Sequence, residues 1–167
     1  LAMVMMMAVE QDWYELNMAI AMFQQTSMKL RYSSIPVIAA PFGMTLGGGC
    51  EFSMHADKIV AAAETYIGLV EVGVGLIPGG GGTKEFALRA LKGTLPDDVK
   101  TNHLRNYFMN IATAKVATSA WEAKQMGILT DKDIIVVNKD RQIAEAKRQA
   151  IVLDELGYTP PVPEKVK

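Results

Sequence analysis

Apolar positions along this chain fall into short segments whose spacing alternates between the helical and the extended period. Over residues 11–32 they recur at Trp13, Leu16, Ile20, Phe23 and Leu30 with polar residues between, which predicts an amphipathic helix, with Asp12 in its first turn. Residues 36–41, Pro-Val-Ile-Ala-Ala-Pro, are continuously apolar and bracketed by prolines, the pattern of a short strand buried on both faces. A helix is predicted over 47–55, beginning on glycine, and two more strands over 57–63 and 66–70, the second delivering Glu71. A further helix starts on the glycines at 79–82 and runs through Arg89.

The second half is read the same way. After a polar break at 92–98, residues 97–113 predict a helix with Leu104, Phe108 and Ile111 on one face. Ser119 followed by Glu122 is a capping-box pattern opening a short helix that stops at Gly127. Residues 133–137 predict a strand and 139–156 a helix ended by Gly157. The organisation is a core over residues 1–157 and a proline-rich extended tail over 158–167. The alternation of strands and helices implies an α/β fold.

Residues 1–9 are all apolar, yet they lack a basic lead-in and fall short of the ~20 apolar residues of a spanning helix. They are expected to be buried core. The chain opens on Leu1, inside this apolar run, and is read as an N-terminally truncated piece of a larger fold.

Composition narrows the function classes. Half the residues are hydrophobic, 21% are charged and the net charge is −1, a globular profile with no basic excess that would favour nucleic acid. The single cysteine, Cys50, cannot form an intramolecular disulfide, which fits a reducing cytoplasm. His55 and His103 have no partners at metal-ligand spacing, so no metal site is expected. No membrane partner is expected either.

The candidate chemistry lies in two glutamates beside dense glycine turns. Gly47-Gly48-Gly49-Cys50-Glu51 comes first; Glu71 follows Val70 and leads through Gly73 and Gly75 to Gly79-Gly80-Gly81-Gly82. Glycine lets a ligand approach backbone N–H groups closely, so such runs bring peptide donors up to an anion or a polarised carbonyl, and the carboxylates supply acid and base. A glutamate set between Cys50 and Phe52 behind three glycines sits in poor company for a solvated surface charge. Cys50 reads as a packing residue, the two histidines as structural or exposed, and most methionines as core filler. The run at 79–82 lacks the lysine-serine ending of a phosphate loop.

Taken in order, residues 36–40, Gly43, the run 47–51, Glu71, the stretch 75–83 and the block 118–127 resemble the signature of the crotonase superfamily of enoyl-CoA hydratases and isomerases. The resemblance covers residues 35–129. The long 97–117 stretch and the proline-rich tail are similar to the hydratase portion of multidomain 3-hydroxyacyl-CoA dehydrogenases. The resemblance implies a superhelix of β-β-α turns, a homo-oligomer of trimers or paired trimers, and an acyl-CoA thioester as substrate. It implies no separate cofactor, because coenzyme A arrives as part of that substrate.

By the same resemblance, Glu51 works on the attacking water, Glu71 on the α-carbon, and the Gly48 N–H is one of two oxyanion donors. The family's second donor lies upstream of the first helix, so residues 1–167 alone are expected to turn over poorly. Met44, Leu46, Gly47 and Val70 match positions lining the acyl pocket, and Gly79 matches a backbone group near the water; Val70 stands where the family often has proline. Two glutamates favour a hydratase of fatty-acid β-oxidation. An isomerase, which often uses one acid/base group, and a catalytically incomplete structural piece are the alternatives.

Overall fold

The computed structural model describes residues 2–92, 94–95 and 97–163. Helix α1 (Ala2–Val9) packs on α2 (Trp13–Arg31), and the Asp12 side chain caps α2 by accepting the Glu15 N–H. Strands β1 (Ile38–Ala39) and β2 (Gly43–Leu46) lead into α3 (Gly48–His55). Strands β3 (Lys58–Ala62) and β4 (Thr65–Gly68) lead through a 3₁₀ turn (Glu71–Val74) into α4 (Gly82–Leu91). There follow α5 (Lys100–Ala112), α6 (Ala120–Gln125), β5 (Ile134–Val136) and α7 (Gln142–Glu155).

Pairing between these strands is parallel and skips the neighbour in sequence: β1 pairs β3, β3 pairs β5, and β2 pairs β4, while Ile67 of β4 also makes an isolated antiparallel bridge to Ala117. The unit β1-β2-α3 is thus laid beneath the unit β3-β4-α4, each strand stacking on its counterpart one turn later, which is a superhelix of β-β-α turns. The repeat is short: Ile38 lies opposite Lys58, and Gly43 opposite Thr65. Consequently whatever follows β2 sits beside whatever follows β4. Both exits carry a candidate glutamate.

The core fills the space between these turns with Cys50 and Met54 of α3, Ile59 of β3, Ile67 of β4 and Phe86 of α4. Small residues let α6 lie close: Ala117, Ala120 and Ala123 are fully buried, and a Cβ on Gly68 would come within 2.4 Å of the Lys115 carbonyl. Helix α7 is stitched on by Gln142, whose amide donates to the carbonyls of Pro41 (2.7 Å) and Val60 (2.8 Å). The start of the tail is tied down by Tyr158, whose hydroxyl bonds Ser33 O and Asp57 Oδ1.

Several expectations need correcting. Residues 2–9 form a helix with no buried residue, and Met3, Met5 and Met6 are exposed. Their apolar character is distributed all round the helix, and α2 covers only part of it; Leu1 lies outside the described residues. Strand β2 was not foreseen, because glycine and threonine interrupt its apolar pattern; its order comes from pairing with β4. The face of α5 that turns inward is Leu104, Tyr107 and Ile111, with Phe108 in solvent, because Tyr107 stacks tilted on Phe86 at 5.0 Å. The Ser119 cap forms with Glu122 N–H, but the Glu122 carboxylate reaches back to Thr118 rather than Ser119. Among the described residues no helix is long and apolar enough to cross a membrane.

Candidate active site

Glu51 sits one turn into α3, whose N-terminus is built by Gly47 at a positive φ (54°) that favours glycine and turns the chain from β2 into the helix. No side chain caps this end. The first N–H groups of a helix have no acceptor within it, so the Gly48 and Gly49 amides make no intrahelical hydrogen bond and sit at the positive end of the helix dipole. The Gly47 N–H is used differently: it donates to Gly68 O (2.9 Å), locking the exit of β2 to the exit of β4.

The Glu51 side chain is 2% exposed, and its Oε1 accepts two backbone N–H groups, from Gly80 and Gly82, each at 2.9 Å. The cradle requires glycine at 80: a Cβ there would lie 1.8 Å from Phe23 Cε1 and 2.6 Å from Glu51 Oε2. Burial pushes the Glu51 carboxyl above the usual carboxylate range, and the amides of 80–82 oppose that shift without cancelling it. The second oxygen, Oε2, is left for other work.

Glu71 opens the 3₁₀ turn after β4. The stacking of β4 on β2 brings its Oε1 to 3.0 Å from where a Cβ of Gly47 would stand, so Glu71 meets the glycine turn that starts the helix of Glu51. Its Oε2 is buried and makes no hydrogen bond among the described residues. Desolvation raises the Glu71 pKa above the ordinary value, and the negative charge of Glu51 adds to the rise. The site thus gathers two carboxyls with raised pKa, Glu51 against the Gly80–Gly82 turn and Glu71 against the turn that opens α3, and carboxyls so placed can take up and release protons.

The other predicted residues are arranged around this centre. Val70 approaches Gly47 and half-buried Leu46 ends β2, so both border the turn. Met44, on β2, is 82% exposed. Gly79 contributes its carbonyl, which accepts Gln24 Nε2 at 2.8 Å, while the donors to Glu51 are Gly80 and Gly82, one and three residues further on. Cys50 is buried and free, and burial raises its thiol far above the ordinary range. His55 is fully buried, its Nδ1 2.7 Å from Glu51 O, and burial lowers its pKa; His103 is exposed.

Three participants escaped the sequence. Phe23 of α2 stands against Gly48 and Gly80 and stacks tilted on Phe52 at 4.6 Å. Gln24, beside it, anchors the glycine turn. Glu85 of α4 is 1% exposed and gathers Arg31, Lys84 (2.8 Å) and Arg89 (3.8 Å) behind His55. Burial opposes its ionisation, yet hydrogen bonds from Arg31 and Lys84 outweigh that and hold its pKa below the usual value. The only signal in the sequence for Glu85 was its place between Lys84 and Phe86 on the inward side of an amphipathic helix.

Comparison of the sequence and fold with known proteins finds clear relatives. The sequence model of the enoyl-CoA hydratase/isomerase family matches residues 8–152. A Bacillus subtilis protein named probable 3-hydroxyacyl-CoA dehydrogenase is 49% identical over 168 aligned residues, covering 100% of this chain and 21% of that protein. A crotonyl-CoA hydratase from Syntrophomonas wolfei is 53% identical over 51 residues, 30% of this chain and 20% of that one. The crystal structure of an enoyl-CoA hydratase from Bacillus anthracis superposes with a TM-score of 0.64 at 29% identity, over 84% of this chain and 48% of the other. The chain therefore spans about a fifth of the Bacillus subtilis relative and, over its superposed part, about half of the solved hydratase.

Proposed function

Because the chain belongs to the enoyl-CoA hydratase/isomerase family, we propose that it carries the acid/base centre of a hydratase that adds water across the conjugated double bond of a 2-enoyl-CoA thioester. One observation carries this reading: the Glu71 carboxyl stands against the glycine turn that opens α3, the buried Glu51 of that helix turns its carboxyl to the Gly80–Gly82 turn, and both carboxyls have raised pKa, that of Glu71 in part through the charge of Glu51. An isomerase needs to shuttle one proton; hydration needs one group for the water and one for the carbon.

In the proposed reaction the thioester oxygen accepts the Gly48 N–H, which stabilises the charge that develops there as the double bond is attacked. Glu51, ionised and held by the Gly80 and Gly82 amides, uses its second oxygen to take a proton from water as that oxygen bonds the β-carbon. Glu71, protonated, delivers its proton to the α-carbon. Water is thereby added whole, and the proton left on Glu51 returns to Glu71 through solvent to restore the pair. Val70, Leu46 and Gly47 border the acyl group near the reacting carbons, and Met44 would meet it only at the outer edge.

The product of such a step is a 3-hydroxyacyl thioester, the substrate of the dehydrogenase activity named for the Bacillus subtilis relative. We read the chain as the hydratase portion of a longer cytoplasmic protein of β-oxidation that also oxidises this product, assembled as a homo-oligomer. Loss of the conjugated-thioester absorbance, followed with the intact protein and its Glu71→Gln variant, tests the hydration. The variant is expected to lose about 10²–10⁴-fold in kcat, the range for a removed general acid. Undiminished turnover would overturn the assignment.

A further inference from the structure

Phe23 packs against both glycine turns of the proposed centre. It lies on α2, far in sequence from both glutamates, yet its ring touches both halves of the centre. A Cβ on Gly48 would meet Phe23 Cζ at 2.9 Å; a Cβ on Gly80 would meet its Cε1 at 1.8 Å and, on the other side, Glu51 Oε2 at 2.6 Å. The ring thus spans from the proposed oxyanion donor to the carboxylate that handles the water. It is held there by Phe52 of α3, with ring centroids 4.6 Å apart, and by Gln24, whose amide fixes the Gly79 carbonyl and so ties the turn to the same stretch of α2.

This position has a consequence for the substrate. A 2-enoyl thioester whose carbonyl oxygen is bound at Gly48 must set its α- and β-carbons between the two glutamates, and the carbons beyond leave that point toward the surrounding wall. On the α2 side that wall includes the Phe23 ring, whose rim atoms Cζ and Cε1 are packed against Gly48 and Gly80. Rigid apolar walls discriminate by about 1–3 kcal/mol per misplaced methylene, which is about 10–200-fold in kcat/KM.

We infer that Phe23 is a specificity-determining residue that closes the acyl pocket and confines the enzyme to short-chain 2-enoyl thioesters. The inference rests on the hydratase reading above. Gln24 acts through the turn and is a positioning residue.

Intact protein and its Phe23→Ala and Phe23→Leu variants, each confirmed as folded by circular dichroism, are assayed on four-carbon and ten-carbon 2-enoyl-CoA. The wild type is expected to favour the four-carbon substrate by at least tenfold in kcat/KM. Phe23→Ala should reverse or abolish that preference through a lowered KM for the ten-carbon substrate, and Phe23→Leu should fall between. A wild type that hydrates both lengths equally, or folded variants with an unchanged ratio, overturns the role of Phe23 while leaving the hydratase reading standing. A wild type that hydrates neither overturns both. If Phe23→Ala does not fold, the wild-type preference and the Phe23→Leu ratio decide.

Discussion

The Gly80→Ala substitution probes the cradle of Glu51 most directly. The added methyl would stand 1.8 Å and 2.3 Å from two carbons of the Phe23 ring and 2.6 Å from Glu51 Oε2, whereas carbon atoms in contact rest at about 3.5–4.0 Å. A displacement of nearly 2 Å is demanded, and the ring cannot supply it alone because Phe52 and Gly48 stand against it. The turn must therefore shift, stretching the 2.9 Å bonds from Gly80 and Gly82 to Glu51 Oε1. Hydrogen bonds to a charged group contribute about 1.5–3 kcal/mol each, and overpacking costs about 1–3 kcal/mol, so a stability loss of roughly 2–4 kcal/mol is expected after partial relaxation. Activity should fall further than stability, by about 10²-fold or more, because Glu51 loses the donors that fix its orientation. Urea unfolding and the thioester absorbance assay read the two effects. Gly73→Ala serves as the control: it has ordinary backbone angles, and its Cβ would meet only Ala114 Cβ at 3.6 Å. A Gly80→Ala protein within about threefold of wild-type turnover and about 0.5 kcal/mol of its stability would refute the cradle.

Two further outcomes follow from the buried charges. Glu71 binds its proton more tightly folded than unfolded, so its ionisation costs stability; the cost is absent below the ordinary carboxylate pKa, grows as pH rises, and is complete above the raised folded pKa. Glu71→Gln should therefore be more stable than wild type at pH 7, with the difference shrinking to nothing as unfolding is measured toward pH 4; a constant difference would contradict the burial. Glu85→Gln removes the charge that Arg31, Lys84 and Arg89 share, and breaking a buried pair from one side costs about 3–5 kcal/mol; thermal unfolding should register it, and a neutral substitution would mean the cations are satisfied by solvent.

Legibility in the sequence followed the range of the interaction. Helices α2, α3, α4 and α7 were readable because their periodicity and their glycine or aspartate ends are local properties of the chain. The glutamates were readable for a related reason: a carboxylate beside backbone-donor glycines is conspicuous within a few residues. Phe23 was readable only as one more apolar position on a helix, because its partners are 25 and 57 residues away. The burial expected of residues 2–9 failed because hydrophobicity states a preference and says nothing of how much surface the neighbours can cover.

The sequence by itself determined most of the order of strands and helices, the glycine-flanked glutamates, and the family, since these are written in contiguous residues; strand β2 and helix α1 were not among them. Tertiary structure decided which groups meet. Parallel stacking of β4 on β2 turns a separation of 20 residues into one superhelical step and carries Glu71 to the turn that starts the helix of Glu51. It also brought the Gly80 and Gly82 amides to Glu51 as donors, and put an α2 phenyl ring against Gly80. These choices depend on approach distances between segments remote in sequence, which hydrogen-bond register and packing fix and local composition does not.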